Sequence, residues 1–121
     1  MKKILFVEDE AALQEAFGGV LKRAGYQIIK ALDGEIGARL AKSEKPDLII
    51  LDLVLPKLHG LEVLEKLKKD KETEDIPVIV LTNLERAEDI EKAIELGALT
   101  YLVKMQYNLT EVVEKIRKII G

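Results

Sequence analysis

Cysteine is absent from the 121-residue sequence, and histidine occurs once. The lack of cysteine excludes disulfide bonds, a thiolate metal site and a thiol nucleophile, and one histidine excludes a metal centre with several histidine ligands in one chain. No apolar run approaches the roughly 20 residues of a membrane-spanning helix. The start MKKILFVEDE reaches acidic residues after too short an apolar stretch for a signal sequence. We therefore expect a cytoplasmic protein that does not enter a membrane.

Repeats, low-complexity segments and a linker are also missing, and the formal net charge is only -3, with a pI near 5.3. This balance disfavours non-specific binding to nucleic acid or to anionic membranes. A composition of 48% hydrophobic and 34% charged residues is typical of a globular protein, and the length suits one domain. We expect one domain over residues 1–121 that makes no direct contact with nucleic acid.

Short apolar runs rich in β-branched residues recur five times and predict five strands. Their bounds are Lys3–Val7, Gln27–Ala31, Leu48–Leu51, Val78–Leu81 and Thr100–Val103. Three of these runs are almost wholly apolar, which is typical of strands covered on both faces, as in a parallel sheet.

Apolar residues spaced three and four apart between the runs predict five helices. These helices are expected around Leu13–Ala24, Ile36–Ala41, Leu61–Leu67, Ile90–Ile94 and Leu109–Ile120. Asp33 and Asn108 are candidate N-caps of the second and fifth helices, and Gly25 and Gly97 are expected to end the first and fourth.

Five β-α units in one chain predict an α/β fold, a doubly wound parallel sheet with helices on both faces. Right-handed crossovers allow few topologies, and the strand order 2-1-3-4-5 is a common solution for five strands. Binding sites in such sheets lie at the carboxyl ends of the strands where the strand order reverses, here between the first and third strands.

Polar side chains follow four of the predicted strands at that edge. They are Glu8 and Asp9 after the first strand, Asp52 after the third, Thr82 and Asn83 after the fourth, and Lys104 after the fifth. Because the carboxyl ends of parallel strands share one edge, we expect these side chains to lie close together.

Glu8, Asp9 and Asp52 would form a cluster of three carboxylates. Two like charges ~4 Å apart repel by about 4 kcal/mol at an effective dielectric of ~20, so the cluster requires a cation, a lysine or raised pKa values. Carboxylate oxygens without histidine or thiolate suit Mg²⁺ or Mn²⁺. Lys104 would supply a second positive charge.

Each of these residues also has a simpler interpretation. The acids after the first strand could favour a helix N-terminus through its dipole. Asp52 could be a turn or capping residue, Thr82 could end a strand, and Lys104 could be an ordinary surface lysine. Their occurrence together, each at the end of its own strand, favours a shared site.

The ordered motifs ILFVEDE, PDLIILDLVLPKLHG, IPVIVLT and GALTYLVK resemble the receiver domain of two-component response regulators, with its flavodoxin-like fold, over the whole chain. The resemblance implies a phosphorylatable signalling protein rather than a conventional enzyme. In this family a histidine kinase or a phosphotransfer protein donates a phosphoryl group to one aspartate with Mg²⁺ bound.

The resemblance implies that Asp52 is the phosphoacceptor. It also implies that Asp9, Asp52 and the backbone carbonyl of Val54 are metal ligands, and that Glu8 reaches the metal through water.

Thr82 and Lys104 match the hydroxyl and the lysine that contact the phosphoryl oxygens, and Tyr101 matches the aromatic residue whose position reports activation. The expected output is a change in the surface of the fourth helix, fifth strand and fifth helix, which would bind a downstream protein. We expect a monomer or weak dimer.

Three positions depart from the family pattern. Met105 stands where the family usually has a proline, which predicts either a trans Lys104–Met105 bond with an altered loop or a strained cis bond. Asn83 stands where a small residue is usual, and it could narrow access to Asp52 or cap the fourth helix. His59 stands where an acid is frequent, and we expect it to be a loop residue without a chemical role.

Other functions stay open. The chain could be a pseudo-receiver that binds partners without phosphorylation, or a Mg²⁺-dependent phosphatase with Asp52 as nucleophile. The phosphatase is disfavoured because such enzymes favour a second acid two residues later as general acid, where Val54 stands. A flavodoxin-like cofactor site is disfavoured because no glycine-rich phosphate loop follows the first strand. The receiver could act alone or within a longer regulator.

Overall fold

The computed structural model describes residues 1–55, 57–82, 87–104 and 108–121, and within them five strands alternate with five helices. The strands are β1 (Lys3–Val7), β2 (Gln27–Ala31), β3 (Leu48–Asp52), β4 (Val78–Thr82) and β5 (Thr100–Val103). The helices are α1 (Ala11–Arg23), α2 (Gly34–Glu44), α3 (Gly60–Lys69), α4 (Ala87–Leu96) and α5 (Leu109–Ile120). None of the described helices has the length and apolar character needed to cross a membrane.

The strands form one parallel sheet in the order β2-β1-β3-β4-β5, which confirms the predicted fold class and topology. Strands β3 and β4 are each one residue longer than predicted. Asp52 and Thr82 are therefore the last residues of their strands, where the ladder pairs Asp52 with Leu81 and Thr82 with Val103. The carboxyl ends of all five strands lie at one edge of the sheet.

Two hydrophobic cores cover the two faces of the sheet. One lies between the sheet and α2, α3 and α4, and the other lies between the sheet and α1 and α5. Every residue of β3 and β4 is buried, as expected for central strands covered on both faces. These two strands therefore carry Asp52 and Thr82 to the edge on a well-packed support.

The predicted helix ends are largely confirmed. Asp33 caps α2 by accepting a hydrogen bond from the backbone N–H of Ile36 at 2.9 Å, and Asn108 caps α5 by accepting one from Thr110 at 2.8 Å. Gly25 and Gly97 follow α1 and α4 with φ of +102° and +114°, a conformation that glycine adopts without a steric penalty.

His59 has a structural role that the sequence did not predict. Its Nδ1 accepts a hydrogen bond from the backbone N–H of Leu61 at 3.2 Å, so the side chain caps the N-terminus of α3. Two other expectations, the role of Asn83 and the geometry of the Lys104–Met105 bond, concern residues 83 and 105, which lie outside the described residues.

Gly60 brings the start of α3 directly against the end of β3. Its N–H donates to the carbonyl oxygen of Leu53 at 3.0 Å. A Cβ atom at this position would overlap the carbonyl oxygen of Asp52 and lie 2.5 Å from the Cα of Leu53. Both are backbone atoms, so a side-chain rotation could not make room.

We expect Gly60→Ala to lower the free energy of unfolding by about 1–3 kcal/mol through overpacking. Gly19→Ala is the matched control, because its Cβ would lie 3.5 Å from Arg23 Nη1, in ordinary contact. Since Gly19 lies inside α1, alanine there should stabilise the protein by about 0.5–1 kcal/mol. Urea unfolding followed by circular dichroism measures the free energy of unfolding of both variants. Equal values for Gly60→Ala and Gly19→Ala would contradict the close packing assigned to Gly60.

Candidate functional site

The polar side chains predicted to share one edge of the sheet lie together wherever the structure describes them, and Asn83 lies outside the described residues. They line a cleft of about 410 Å³ at the carboxyl ends of the strands. The residues around it are Glu8, Asp9, Glu10, Asp52, Val54, Thr82 and Lys104. The structure thus brings together six of the seven predicted site residues, and Tyr101 lies elsewhere.

Asp52 is almost completely buried, with 1% of its surface exposed. One carboxylate oxygen, Oδ1, accepts a hydrogen bond from the backbone N–H of Val54 at 3.1 Å, and the other, Oδ2, accepts one from Lys104 Nζ at 2.8 Å. A buried carboxylate is costly unless it is paired and hydrogen-bonded, and both conditions are met here. The lysine at the end of β5 therefore explains how an acid is accommodated at the end of an apolar strand.

Lys104 is held in place by the sheet as well as by its charge. Its backbone N–H donates to the carbonyl oxygen of Thr82 at 2.6 Å, which extends the β4–β5 pairing by one residue. Burial alone would lower the pKa of Lys104, but the hydrogen bond and charge of Asp52 and the charge of Glu8 raise it above its ordinary value. The Lys104 side chain is therefore a positively charged ammonium group at neutral pH.

Glu8 is fully buried directly after β1. Its Oε2 accepts a hydrogen bond from the backbone N–H of Glu10 at 3.0 Å. Its Oε1 lies 3.4 Å from Lys104 Nζ and accepts no hydrogen bond from the described part of the chain. Burial is the main reason why the pKa of Glu8 is raised to about 7; the Glu10 N–H opposes this rise, Asp52 adds to it, and Lys104 opposes it.

The three acids form a group of oxygen donors that suits a divalent cation. Carboxylate oxygens of Glu8, Asp9 and Asp52 all lie within 4.8 Å of one another. Asp9 is exposed, so the group is open to solvent on one side. Among the described residues that line the cleft, one ammonium group faces these three carboxylates and no nitrogen or sulfur ligand joins them. Hard oxygen ligands of this kind fit Mg²⁺ or Mn²⁺. The role of the Val54 carbonyl as a ligand stays a prediction.

Thr82 and Tyr101 occupy neighbouring strands but different environments. Thr82 is 3% exposed at the cleft, whereas Tyr101 is 42% exposed on β5. Tyr101 lines a separate surface groove with residues of β5 and α5, including Glu111 and Lys115. Because Thr82 pairs with Val103 across the ladder, two residues after Tyr101, the cleft and the groove are adjacent through the sheet.

Gln14 is a site-related residue that the sequence reasoning missed. Its buried side-chain amide donates to the carbonyl oxygens of Phe6, Glu8 and Ala31. The available signal was its position on the apolar face of α1, three residues before Phe17. A polar residue at such a position requires buried partners.

The chain is similar to proteins of one family along nearly its whole length. A family model for the response regulator receiver domain matches residues 4–117. RpaA of Synechocystis sp., a DNA-binding dual master transcriptional regulator, is 38% identical over 120 residues, which cover 99% of this chain and 49% of RpaA. Protein PilH of Pseudomonas aeruginosa is 38% identical over 104 residues, or 86% of each chain.

A solved structure extends the similarity to the fold. The receiver domain of sensor histidine kinase PA1611 from Pseudomonas aeruginosa, with a magnesium ion coordinated in its active site cleft, matches with a TM-score of 0.90 and 28% identity. The match covers 99% of this chain and 98% of that one. The chain spans about half the length of transcriptional regulators such as RpaA.

The raised pKa of Glu8 predicts a specific pH dependence of stability. An acid whose pKa rises from 4.5 to about 7 on folding stabilises the folded state below pH 4.5, and this contribution is lost as the pH rises through 7. As the pH rises from about 5 to about 8, the free energy of unfolding of the metal-free native protein should fall by about 2–3 kcal/mol relative to that of Glu8→Gln, which cannot ionise. Urea unfolding of both proteins across this range is the measurement, and parallel pH profiles would contradict the environment described for Glu8.

Proposed function

The chain belongs to the response regulator receiver family of two-component signalling, and from this premise we propose that it is a switch operated by phosphorylation of Asp52. Receiver domains act with histidine kinases and downstream effectors, so the proposed donor is a histidine kinase or a phosphotransfer protein. The observation that carries the proposal is the buried Asp52 carboxylate, which accepts a hydrogen bond from Lys104 Nζ at 2.8 Å inside the acidic cleft.

The proposed reaction uses the Asp52 carboxylate as the nucleophile. A carboxylate oxygen forms a bond to phosphorus, and the bond between phosphorus and the donor nitrogen breaks, so that nitrogen leaves with the electron pair. Phosphoryl transfer depends mainly on positioning and on charge neutralisation rather than on further covalent chemistry. Val54 N–H and Lys104 Nζ hold the two Asp52 oxygens, which fixes the direction in which the carboxylate faces the cleft.

The proposed metal is Mg²⁺, with Mn²⁺ as a substitute. Asp9, Asp52 and the Val54 backbone carbonyl would hold it directly, and Glu8 through water. When bound, it would supply positive charge that neutralises the phosphoryl oxygens and offsets the repulsion among the acids. The three carboxylates within 4.8 Å support this choice, as does the magnesium ion named for the related receiver domain of PA1611.

The phosphorylated state would be stabilised by two side chains already at the cleft. The Thr82 hydroxyl could donate one hydrogen bond, worth about 1 kcal/mol, and Lys104 one charge-assisted bond of about 1.5–3 kcal/mol. A shift from 1:99 to 99:1 needs about 5.5 kcal/mol. We therefore expect phosphorylation to shift the conformational population strongly without saturating it.

The proposed output surface consists of α4, β5 and α5. Apolar side chains are exposed on this side, with 44% exposure for Ile94, 54% for Leu99 and 42% for Tyr101. A movement of Thr82 toward the phosphoryl group would alter the neighbouring β5 and allow Tyr101 to turn inward. The partner of this surface would be a protein, and we propose that residues 1–121 act as one receiver domain, monomeric or weakly dimeric.

Incubation with acetyl phosphate and Mg²⁺ tests the proposal without the kinase. Intact-protein mass spectrometry should show the addition of one phosphoryl group to the native protein and none to Asp52→Asn, whose amide is not a nucleophile. Asp75→Asn is a matched control that changes an exposed aspartate remote from the cleft, and it should react like the native protein.

Three outcomes would contradict the proposal. Equal phosphorylation of Asp52→Asn would exclude Asp52 as the acceptor. No phosphorylation of the native protein would favour a pseudo-receiver. Steady hydrolysis of a phosphomonoester would favour a phosphatase.

A further inference from the structure

Gln14 is a polar residue on the face of α1 that packs against the sheet. It lies three residues before Phe17 and seven before Leu21, both of which are buried in the core. Its own side chain is only 2% exposed. Burying an amide is costly unless its polar atoms find partners, so the partners of Gln14 indicate what the residue does.

The two N–H groups of Gln14 Nε2 are shared among three backbone carbonyl oxygens from three places in the chain, so one N–H is divided between two acceptors. The distances are 2.8 Å to Phe6 in β1, 3.1 Å to Ala31 at the end of β2, and 3.2 Å to Glu8 just after β1. The Ala31 oxygen also accepts from the backbone N–H of Glu8 at 3.0 Å. One amide therefore ties the ends of β1 and β2 to the first residue of the loop that carries Glu8 and Asp9.

The amide oxygen of Gln14, Oε1, indicates that this position requires the N–H donors of the side chain. Gln14 Oε1 is buried and accepts no hydrogen bond from the residues that the structure describes. A flip of the amide would place Oε1 next to the three carbonyl oxygens, which cannot donate to it, so Oε1 would still lack a hydrogen bond. A buried acceptor without a donor is destabilising. Methionine would fill the same space without introducing an unsatisfied amide oxygen. The donors must therefore matter more than the packing.

We propose that Gln14 is a positioning residue that holds the backbone of Glu8, and thereby the Glu8 and Asp9 carboxylates, in the arrangement that binds the metal. The inference rests on the proposed function in so far as these acids bind Mg²⁺. Glu10 and Lys104 restrain the Glu8 carboxylate, whereas Gln14 restrains its main chain. Without Gln14, the Glu8 carbonyl would lose its side-chain donor, and the loop would rotate to expose it to water.

Amide hydrogen exchange measured by NMR on the metal-free protein tests the positioning directly. In Gln14→Met, which is similar in length but has no donor, the Glu8 and Glu10 amides should exchange at least about tenfold faster, after correction for the change at the core amides of β3. Gln14→Lys should restore slow exchange, because an ammonium group offers three donors to the three carbonyls and has no acceptor.

A matched control separates positioning from general destabilisation. Leu21→Val changes the same buried face of α1 away from the loop, and it should alter exchange at Glu8 and Glu10 only in proportion to the β3 amides. The inference would be overturned if Gln14→Met increased exchange at Glu8 and Glu10 only in proportion to the β3 amides. It would also be overturned if exchange at Glu8 and Glu10 were selectively faster in Gln14→Met and equally fast in Gln14→Lys.

Titration of the same samples with MgCl₂ gives the second measurement. Gln14→Met should bind Mg²⁺ about tenfold more weakly, as is usual when a group that orients a metal ligand is lost, and Leu21→Val should bind it as the native protein does. Unchanged affinity in Gln14→Met would overturn the inference. If the native protein bound no Mg²⁺, the proposed function would fail at its metal, while hydrogen exchange would still decide whether Gln14 positions the loop.

Discussion

The ammonium group of Lys104 is shared between two buried carboxylates. It is the one positive charge among the described residues that line the cleft, and the rest of the site depends on it. Lys104 Nζ lies 2.8 Å from Asp52 and 3.4 Å from Glu8. Two like charges at ~4 Å repel by about 4 kcal/mol at an effective dielectric of ~20, and one lysine offsets only part of this. Burial is the main reason for the raised pKa of Glu8, and the charge of Asp52 adds to it while the Glu10 N–H and Lys104 oppose it. The carboxylate charge that Lys104 does not offset would favour a divalent cation in the cleft. A phosphoryl group on Asp52 would compete for the same lysine, so phosphorylation and metal binding should be thermodynamically linked.

The fold creates this arrangement by delivering each charge from a different strand. Central strands β3 and β4 are buried on both faces and end at Asp52 and Thr82. Strand β5 continues its pairing with β4 through the N–H of Lys104, which directs the lysine toward the cleft. Gly60 allows α3 to start against the backbone of Asp52 and Leu53. Residues far apart in sequence thus meet because parallel strands end at the same edge.

Much of this could be predicted from the sequence, because it depends on local patterns and on general rules of parallel sheets. Apolar runs identified the five strands, and the position of Asp52 at the end of one of them indicated the site. The capping role of His59, the complete burial of Glu8 and the contacts of Gln14 could not be predicted, because each depends on backbone groups that only the tertiary fold brings near. Gln14 had a visible signal in its position on the apolar face of α1, but the sequence does not reveal which carbonyls would accept its hydrogen bonds.

The stability of Lys104→Met without metal and with saturating Mg²⁺, measured by urea unfolding at about pH 8, tests the shared-charge account most directly. Removing one partner of a buried ion pair leaves uncompensated charge. Without metal, the account predicts that the free energy of unfolding of Lys104→Met is about 1–3 kcal/mol lower than that of the native protein. This loss is smaller than for a completely buried pair because Lys104 is partly exposed. It also predicts that Mg²⁺ recovers most of this loss by replacing the missing positive charge. A metal-free variant as stable as the native protein, or a loss that Mg²⁺ leaves unchanged, would contradict the account.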